Sequence, residues 1–200
     1  MRMFTLVLSV VFLAMFVIGN AAVCKAEETQ KPEIKVYITT GSGGTPEEKQ
    51  YVEAIVKILS KIDKADDGKA KAVNITETDD EAIKRLDKPR EKPEEVNFQY
   101  VIGTPAANKL VNMYLQKDSN KITINSDGIT YGNEKLTGKT EGILLVANDL
   151  LASHTLSLVI TSHSPEFFKN ITEKDNKILG GVSGNPAIYK YDSEKHMVLK

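Results

Sequence analysis

The chain has 200 residues, of which 41% are hydrophobic and 26% are charged, a composition typical of a globular domain with an ordinary core. Its 26 basic and 27 acidic residues give a net charge of −1 and are interspersed, which argues against a nucleic-acid partner. Cys24 is the single cysteine, so an internal disulfide and a metal site built from several cysteines are excluded.

Residues 1–26 have the pattern of a secretory signal peptide. Arg2 provides a basic start, an apolar run extends from Met3 to Ile18, and small residues precede an abruptly polar stretch. The run is shorter than the roughly 20 residues of a spanning helix, which favours cleavage, best placed after Ala26, over a retained anchor. Lipidation of Cys24 is an alternative to cleavage after Ala26. In both cases the signal pattern predicts an extracytoplasmic protein, either secreted or at the cell surface.

Beyond a polar tether at residues 27–33, strand and helix patterns alternate. Alternating β-branched residues indicate strands, whereas capping threonines followed by proline or acidic residues indicate helix starts, as in the capping box from Thr45 to Glu48. The predicted elements are a strand at 34–40, a helix from Pro46 to Ile62, a strand at 72–78, a helix from Asp79 to Leu86, a strand from Phe98 to Gly103, and a helix from Pro105 to Lys117. The apolar faces of these helices predict packing on a sheet.

Strands dominate the second half of the chain. The predicted elements are a hairpin around Asp127-Gly128, apolar strands at 142–147 and 156–161, a helix from Ser164 to Ile171, and strands at 178–182 and 187–191. Short continuous apolar runs are typical of central strands that are covered on both faces. The pattern predicts one α/β layered domain over residues 34–200, with a mostly parallel, flavodoxin-like sheet and an antiparallel edge.

Several motifs resemble a known α/β module. The segments Val101–Asn108, Gly142–Asn148 and Thr155–Ser164, together with the Asp127-Gly128 turn, are similar to a domain of archaeal surface-layer-type proteins that is also appended to some secreted bacterial hydrolases. The chain departs from that pattern at Asn148-Asp149, where the family has Asn-Pro. The resemblance implies an α/β fold and a surface location, without a defined activity.

The strand-to-helix junctions provide a candidate ligand site. Parallel strands end at one edge of a sheet, and free amides at helix starts there suit an anion. The candidate residues for a small anionic ligand are Ser42, Gly43, Thr45, Gly103, Thr104 and Asn108. The alternative is a flexible turn before a capped helix. The glycine-rich loop has neither the lysine of a Walker loop nor the spacing of a dinucleotide fingerprint.

The sequence predicts no catalytic residue, no metal ligand and no cofactor. Ser42, His163 or His154, and Asp149 could form a hydrolase triad, but the chain has no Gly-x-Ser-x-Gly elbow. The two histidines lie near opposite ends of one predicted strand, which does not suit a shared metal. The favoured hypothesis is a non-catalytic secreted or cell-surface module that contacts an envelope or protein partner. The alternatives are an anion-binding protein and a minor hydrolase.

Overall fold

The computed structural model describes residues 33–62, 71–88, 97–117, 121–153, 155–171, 175 and 187–199. The predicted signal peptide, nearly all of the tether, and the strand predicted at 178–182 lie outside these residues. The elements are β1 (Glu33–Thr40), α1 (Pro46–Ile62), β2 (Lys71–Thr78), α2 (Asp79–Leu86), β3 (Asn97–Ile102), α3 (Lys109–Lys117), β4 (Thr123–Asn125), β5 (Gly128–Tyr131), β6 (Glu134–Leu136), β7 (Glu141–Asn148), β8 (Thr155–Ser162), α4 (Glu166–Asn170), β9 (Ala187–Asp192) and β10 (Met197–Leu199).

In the described part of the chain, seven strands form one mixed sheet in the order β10-β9-β7-β8-β3-β1-β2, and β4, β5 and β6 form a small antiparallel sheet. The α/β fold class is thus confirmed. The pairs β2-β1, β1-β3 and β3-β8 are parallel, whereas β8-β7, β7-β9 and β9-β10 are antiparallel. The sheet is therefore only partly parallel. Strands β7 and β8 are antiparallel because only a short connection joins them, whereas parallel neighbours need a crossover of a dozen or more residues.

The main sheet has an apolar core on each face. Strand residues alternate between the two, so that Leu144 and Ile160 lie in one cluster and Leu145 and Val159 in the other. Helices α1 and α4 cover the first face, where Phe167 and Phe168 are buried. Helices α2 and α3 and the small sheet cover the second face. The predicted two-sided burial of the central apolar strands β7 and β8 is confirmed.

The predicted helix start at Pro105 is wrong. Residues 105–107 form a turn in which the Thr104 carbonyl accepts the N–H groups of Ala107 and Asn108. Helix α3 begins at Lys109, because the Asn108 side chain accepts the backbone N–H groups of the following turn. The short strands β6 and β10 were not predicted, since neither has a long β-branched run.

Candidate functional site

The loops after β1 and β3 lie side by side at the carboxyl edge of the parallel strands. Gly43 N donates a 3.3 Å hydrogen bond to Ala107 O. A Cβ atom on Gly41 would lie only 2.0 Å from the same carbonyl oxygen, so this close approach requires glycine. Strands β1 and β3 are neighbours, so Ser42, Gly43 and Thr45 share one edge with Gly103, Thr104 and Asn108.

A fully buried carboxylate, Glu48, connects these two loops. Its Oε2 accepts Thr45 N at 2.7 Å, and Glu48 N reaches Thr45 Oγ1 at 3.3 Å, which confirms the predicted capping box. Its Oε1 accepts Thr104 N at 2.6 Å. The sequence analysis did not predict the bond from Thr104 N, because a capping-box pattern involves residues of one loop and does not indicate a partner that follows another strand.

A second fully buried carboxylate, Asp79, joins the same loops to the start of α2. Its Oδ1 accepts Ser42 N at 2.8 Å and Asp80 N at 3.0 Å, and its Oδ2 accepts Lys109 N at 2.8 Å. Burial alone would raise the pKa of Asp79, but these backbone hydrogen bonds lower it below its ordinary value. The ionised Asp79 side chain therefore accepts backbone amides at the edge where the sequence analysis placed an external anion.

The other amides of the candidate site also have acceptors within the protein. Gly44 N donates to Gly41 O at 2.9 Å, Gly103 N to Ile160 O at 3.2 Å, and Asn108 N to Thr104 O at 2.9 Å. The backbone N–H groups of all six predicted residues are thus already paired. The structure brings those residues together, but their binding of a ligand stays a prediction.

The groups considered for a hydrolase triad do not converge. Asp149 follows β7 at the edge where β8 begins, whereas His163 follows the opposite end of β8. Asp149 Oδ1 instead accepts Thr155 N at 3.2 Å. Within the described residues, His163 Nδ1 is buried without a hydrogen-bond partner. Burial lowers the pKa of this histidine, and the negative charge of Glu141 partly offsets this effect. His154 lies outside the described residues.

A row of polar side chains crosses the sheet beneath α2 and α3, and the sequence analysis did not identify it. Arg85 forms a bidentate ion pair with Glu77, at 2.6 and 3.0 Å. The row continues through Thr39 and Gln99 to the hydroxyl of Tyr114, which lies 2.5 Å from Ser157 Oγ. All of its members except the partly exposed Arg85 are buried, and they are bonded to each other, so we assign them a structural role.

An open concavity of about 570 Å³ lies near the start of β7, α4 and the turn after β9. Lys139, Lys169 and Lys195 line it together with acidic residues, among them Glu141 and Asp192. Small-molecule sites are usually apolar with a few polar groups, so this mixed-charge surface is a poor match for one. Asp192 is also engaged locally, with Lys195 Nζ at 2.9 Å.

Within the described ranges, His, Cys, Asp and Glu side chains form no group of three that could hold a metal ion. Among the helices that the structure describes, none is long and apolar enough to cross a membrane. The chain matches none of the family models, curated proteins or solved structures with which it was compared.

Proposed function

We propose that this chain is a non-catalytic extracytoplasmic α/β module that acts through contacts with an envelope component or another protein. The signal-like pattern of residues 1–26 supports the location. The resemblance to surface-layer-type proteins supports a role at the cell surface. We further propose that the parallel strands β2-β1-β3-β8 represent a flavodoxin-like arrangement whose usual ligand position, at the carboxyl ends of β1 and β3, is closed.

One observation carries the proposal. Glu48 and Asp79 occupy the backbone amides with which the carboxyl edge would otherwise hold an anionic ligand. A charge-assisted hydrogen bond to a backbone N–H is about twice as strong as a neutral one. A small anion would therefore have to displace a buried carboxylate from several such bonds. This favours a surface that works by contact over a site that binds and transforms a small molecule.

Binding of a small anion remains the second hypothesis, and it is favoured by the convergence of the loops. The two hypotheses differ in thermal unfolding against phosphate, sulfate, nucleotides, sugars and divalent metals. A ligand present at 100 times its dissociation constant adds about 2.7 kcal/mol. This would raise the midpoint by roughly 5 to 10 °C in a domain of this size. The module hypothesis predicts that no ligand in the panel shifts the midpoint.

The variant Gly43→Val identifies the site of any ligand that does shift the midpoint. A Cβ atom on Gly43 would meet nothing closer than 3.6 Å, so the backbone at this position has room for a Cβ atom. A shift that is present in the wild type and absent from Gly43→Val would replace our proposal with the anion-binding hypothesis. A shift that survives in this variant would place the ligand elsewhere.

The proposed location has its own test. Expression of the full chain in a bacterial host, followed by cell fractionation and N-terminal sequencing, should yield an extracytoplasmic protein that begins at Glu27. Cys24→Ser serves as the control for lipidation, because a lipidated protein would begin at Cys24 and lose its membrane association in this variant. A cytoplasmic protein that keeps residues 1–26 would contradict the proposal.

A further inference from the structure

Strand β2 forms one edge of the main sheet. Among the described residues it pairs with β1 alone, over the eight residues from Lys71 to Thr78. The register between the two strands runs from end to end without a bulge. The outer N–H and C=O groups of an edge strand are a template for another strand. Because β2 is long and regular, it can accept a further strand along its length.

The sequence of β2 has few of the features that normally protect an edge. Natural edge strands carry prolines, bulges or charged side chains that discourage pairing. β2 has no proline, and its central residues Val73–Thr76 are uncharged and include three with β-branched side chains. Its acidic residue, Glu77, is buried and forms an ion pair with Arg85 of α2. The middle of β2 is therefore suited to pairing with another strand.

Asn74, in the middle of β2, has a polar atom that needs a partner. Its Oδ1 is buried, and no hydrogen-bond donor reaches it from the part of the chain that the structure describes. The residue as a whole is half-buried, as are Val73 and Ile75 on either side. A buried acceptor without a donor costs free energy. At an edge strand, a donor can come from a second molecule.

A second copy of the chain provides complementary side chains in one register. A two-fold axis perpendicular to the sheet places residues of the same face opposite each other in an antiparallel pair. With Asn74 at the axis and opposite itself, the other opposed pairs are Val73 with Ile75, Ala72 with Thr76, and Lys71 with Glu77. Pairs of β-branched residues and pairs of opposite charge both stabilise antiparallel strands. The two Asn74 amides each have donors and an acceptor, so each can bond to the other.

The neighbouring register with the same faces opposed is less complementary. With Ile75 at the axis, Val73 would lie opposite Glu77, which places an apolar residue against a carboxylate. Lys71 would then lie beyond the end of the opposing β2, without its acidic partner. The register centred on Asn74 is therefore the one that the sequence of β2 favours.

We propose that the chain forms a two-fold dimer in which β2 pairs in antiparallel fashion with β2 of a second copy, centred on Asn74. The seven-stranded sheets of the two copies become one continuous sheet across this contact. The dimer goes beyond the envelope or protein contact proposed above and does not depend on it, because two copies of the described sheet are sufficient to form it.

Sedimentation equilibrium tests the dimer, on protein purified after expression of the full chain. The wild type should have twice the mass of one chain and dissociate on dilution. Asn74→Asp places like charges opposite each other at the axis and should raise the dissociation constant about tenfold or more. Asn133→Asp is the matched control, because it adds the same charge at an exposed turn of the small sheet and should leave the constant unchanged.

Disulfide cross-linking tests the register and does not require a weakened variant. In a Cys24→Ser background, which removes the single natural cysteine, Asn74→Cys should form a covalent dimer on oxidation. Directly opposed Cα atoms are about 4.5 to 5.5 Å apart, within the range of a disulfide. Thr76→Cys, at an exposed position of the same strand, is the control. Its two copies would be offset by four residues, or about 13 Å, and should not cross-link.

Four results would overturn the proposal. The first is a wild-type mass of one chain at every concentration, and the second is a dimer that Asn74→Asp and Asn133→Asp weaken equally. The third is a dimer in which Asn74→Cys does not cross-link, which would mean that the two copies meet at another surface. The fourth is equal cross-linking of Asn74→Cys and Thr76→Cys, which would show that collisions and not a fixed register bring the strands together.

Discussion

Glu48 and Asp79 connect backbone segments that are far apart in the sequence. Both are fully buried, and backbone N–H groups from the loops after β1 and β3 and from the start of α3 donate to them. A buried carboxylate is tolerated only when its oxygens are hydrogen-bonded. These two side chains therefore hold the loops after β1 and β3 to each other and to the starts of α2 and α3, although neither was a candidate site residue in the sequence.

Glu48→Gln should destabilise the protein by about 2 to 3 kcal/mol. Glutamine keeps one acceptor oxygen but presents an NH₂ group to either Thr45 N or Thr104 N, leaving a buried donor unpaired. Urea unfolding measures the loss. Glu53→Gln changes an exposed residue of the same helix and should alter the free energy of unfolding by less than about 0.5 kcal/mol. Equal effects of the two changes would contradict the role of Glu48.

Asp79 should contribute to acid sensitivity. Although burial opposes ionisation, backbone hydrogen bonds from Lys109, Ser42 and Asp80 lower its pKa in the folded state. Its stabilisation is therefore present above its unfolded pKa of about 3.9 and is lost as the pH falls through the lower folded value. The free energy of unfolding of Asp79→Asn, measured in urea from pH 2.5 to 6, should fall less steeply with acid than that of the wild type. Asp80→Asn, at a half-exposed neighbour, is the control.

Among the secondary-structure elements, the loops after β1 and β3 interlock through their backbones. Gly41→Ala should be strongly destabilising, because its new Cβ would lie 2.0 Å from Ala107 O and backbone would have to move. We expect a loss of about 3 kcal/mol, as in other overpacked sites. This corresponds to a fall of roughly 6 to 12 °C in the thermal midpoint.

Gly43→Ala is the matched control in the same loop, since its Cβ would meet Ala107 atoms only at 3.6 and 3.7 Å. These are ordinary contact distances, so the midpoint should stay close to that of the wild type. A similar fall in both variants would show that the loop needs glycine for flexibility and not for the close approach to Ala107.

Local signals predicted most elements and the helix starts after the strands, but not which partners the polar groups of the connecting loops bind. The capping box of Thr45 and Glu48 was readable because its members lie three residues apart. The bond from Thr104 N to Glu48 links positions 56 residues apart, and no local pattern encodes it. The start of α3 was missed for a related reason: Thr104 and Asn108 both suit an N-cap, and only the tertiary fold selects Asn108.

In the whole molecule, one sheet separates two apolar clusters, and consecutive residues of β7 belong to different ones. Leu144 packs with the α1 and α4 side, and Leu145 with the α2 and α3 side. Both are fully buried. If the clusters form a single cooperative unit, weakening either one must lower the stability of both.

Leu144→Ala and Leu145→Ala should therefore each cost about 2 to 5 kcal/mol and leave a single unfolding transition. The chain has no tryptophan, so tyrosine near-UV circular dichroism reports on tertiary packing and far-UV circular dichroism on secondary structure. Both signals should give the same urea midpoint in each variant. Met197→Ala, at a 48% exposed edge position, should change stability by less than about 0.5 kcal/mol. If the near-UV and far-UV signals of one leucine variant gave different urea midpoints, we would conclude that the two faces of the sheet unfold independently. Faces that are coupled through a shared sheet cannot lose one cluster alone.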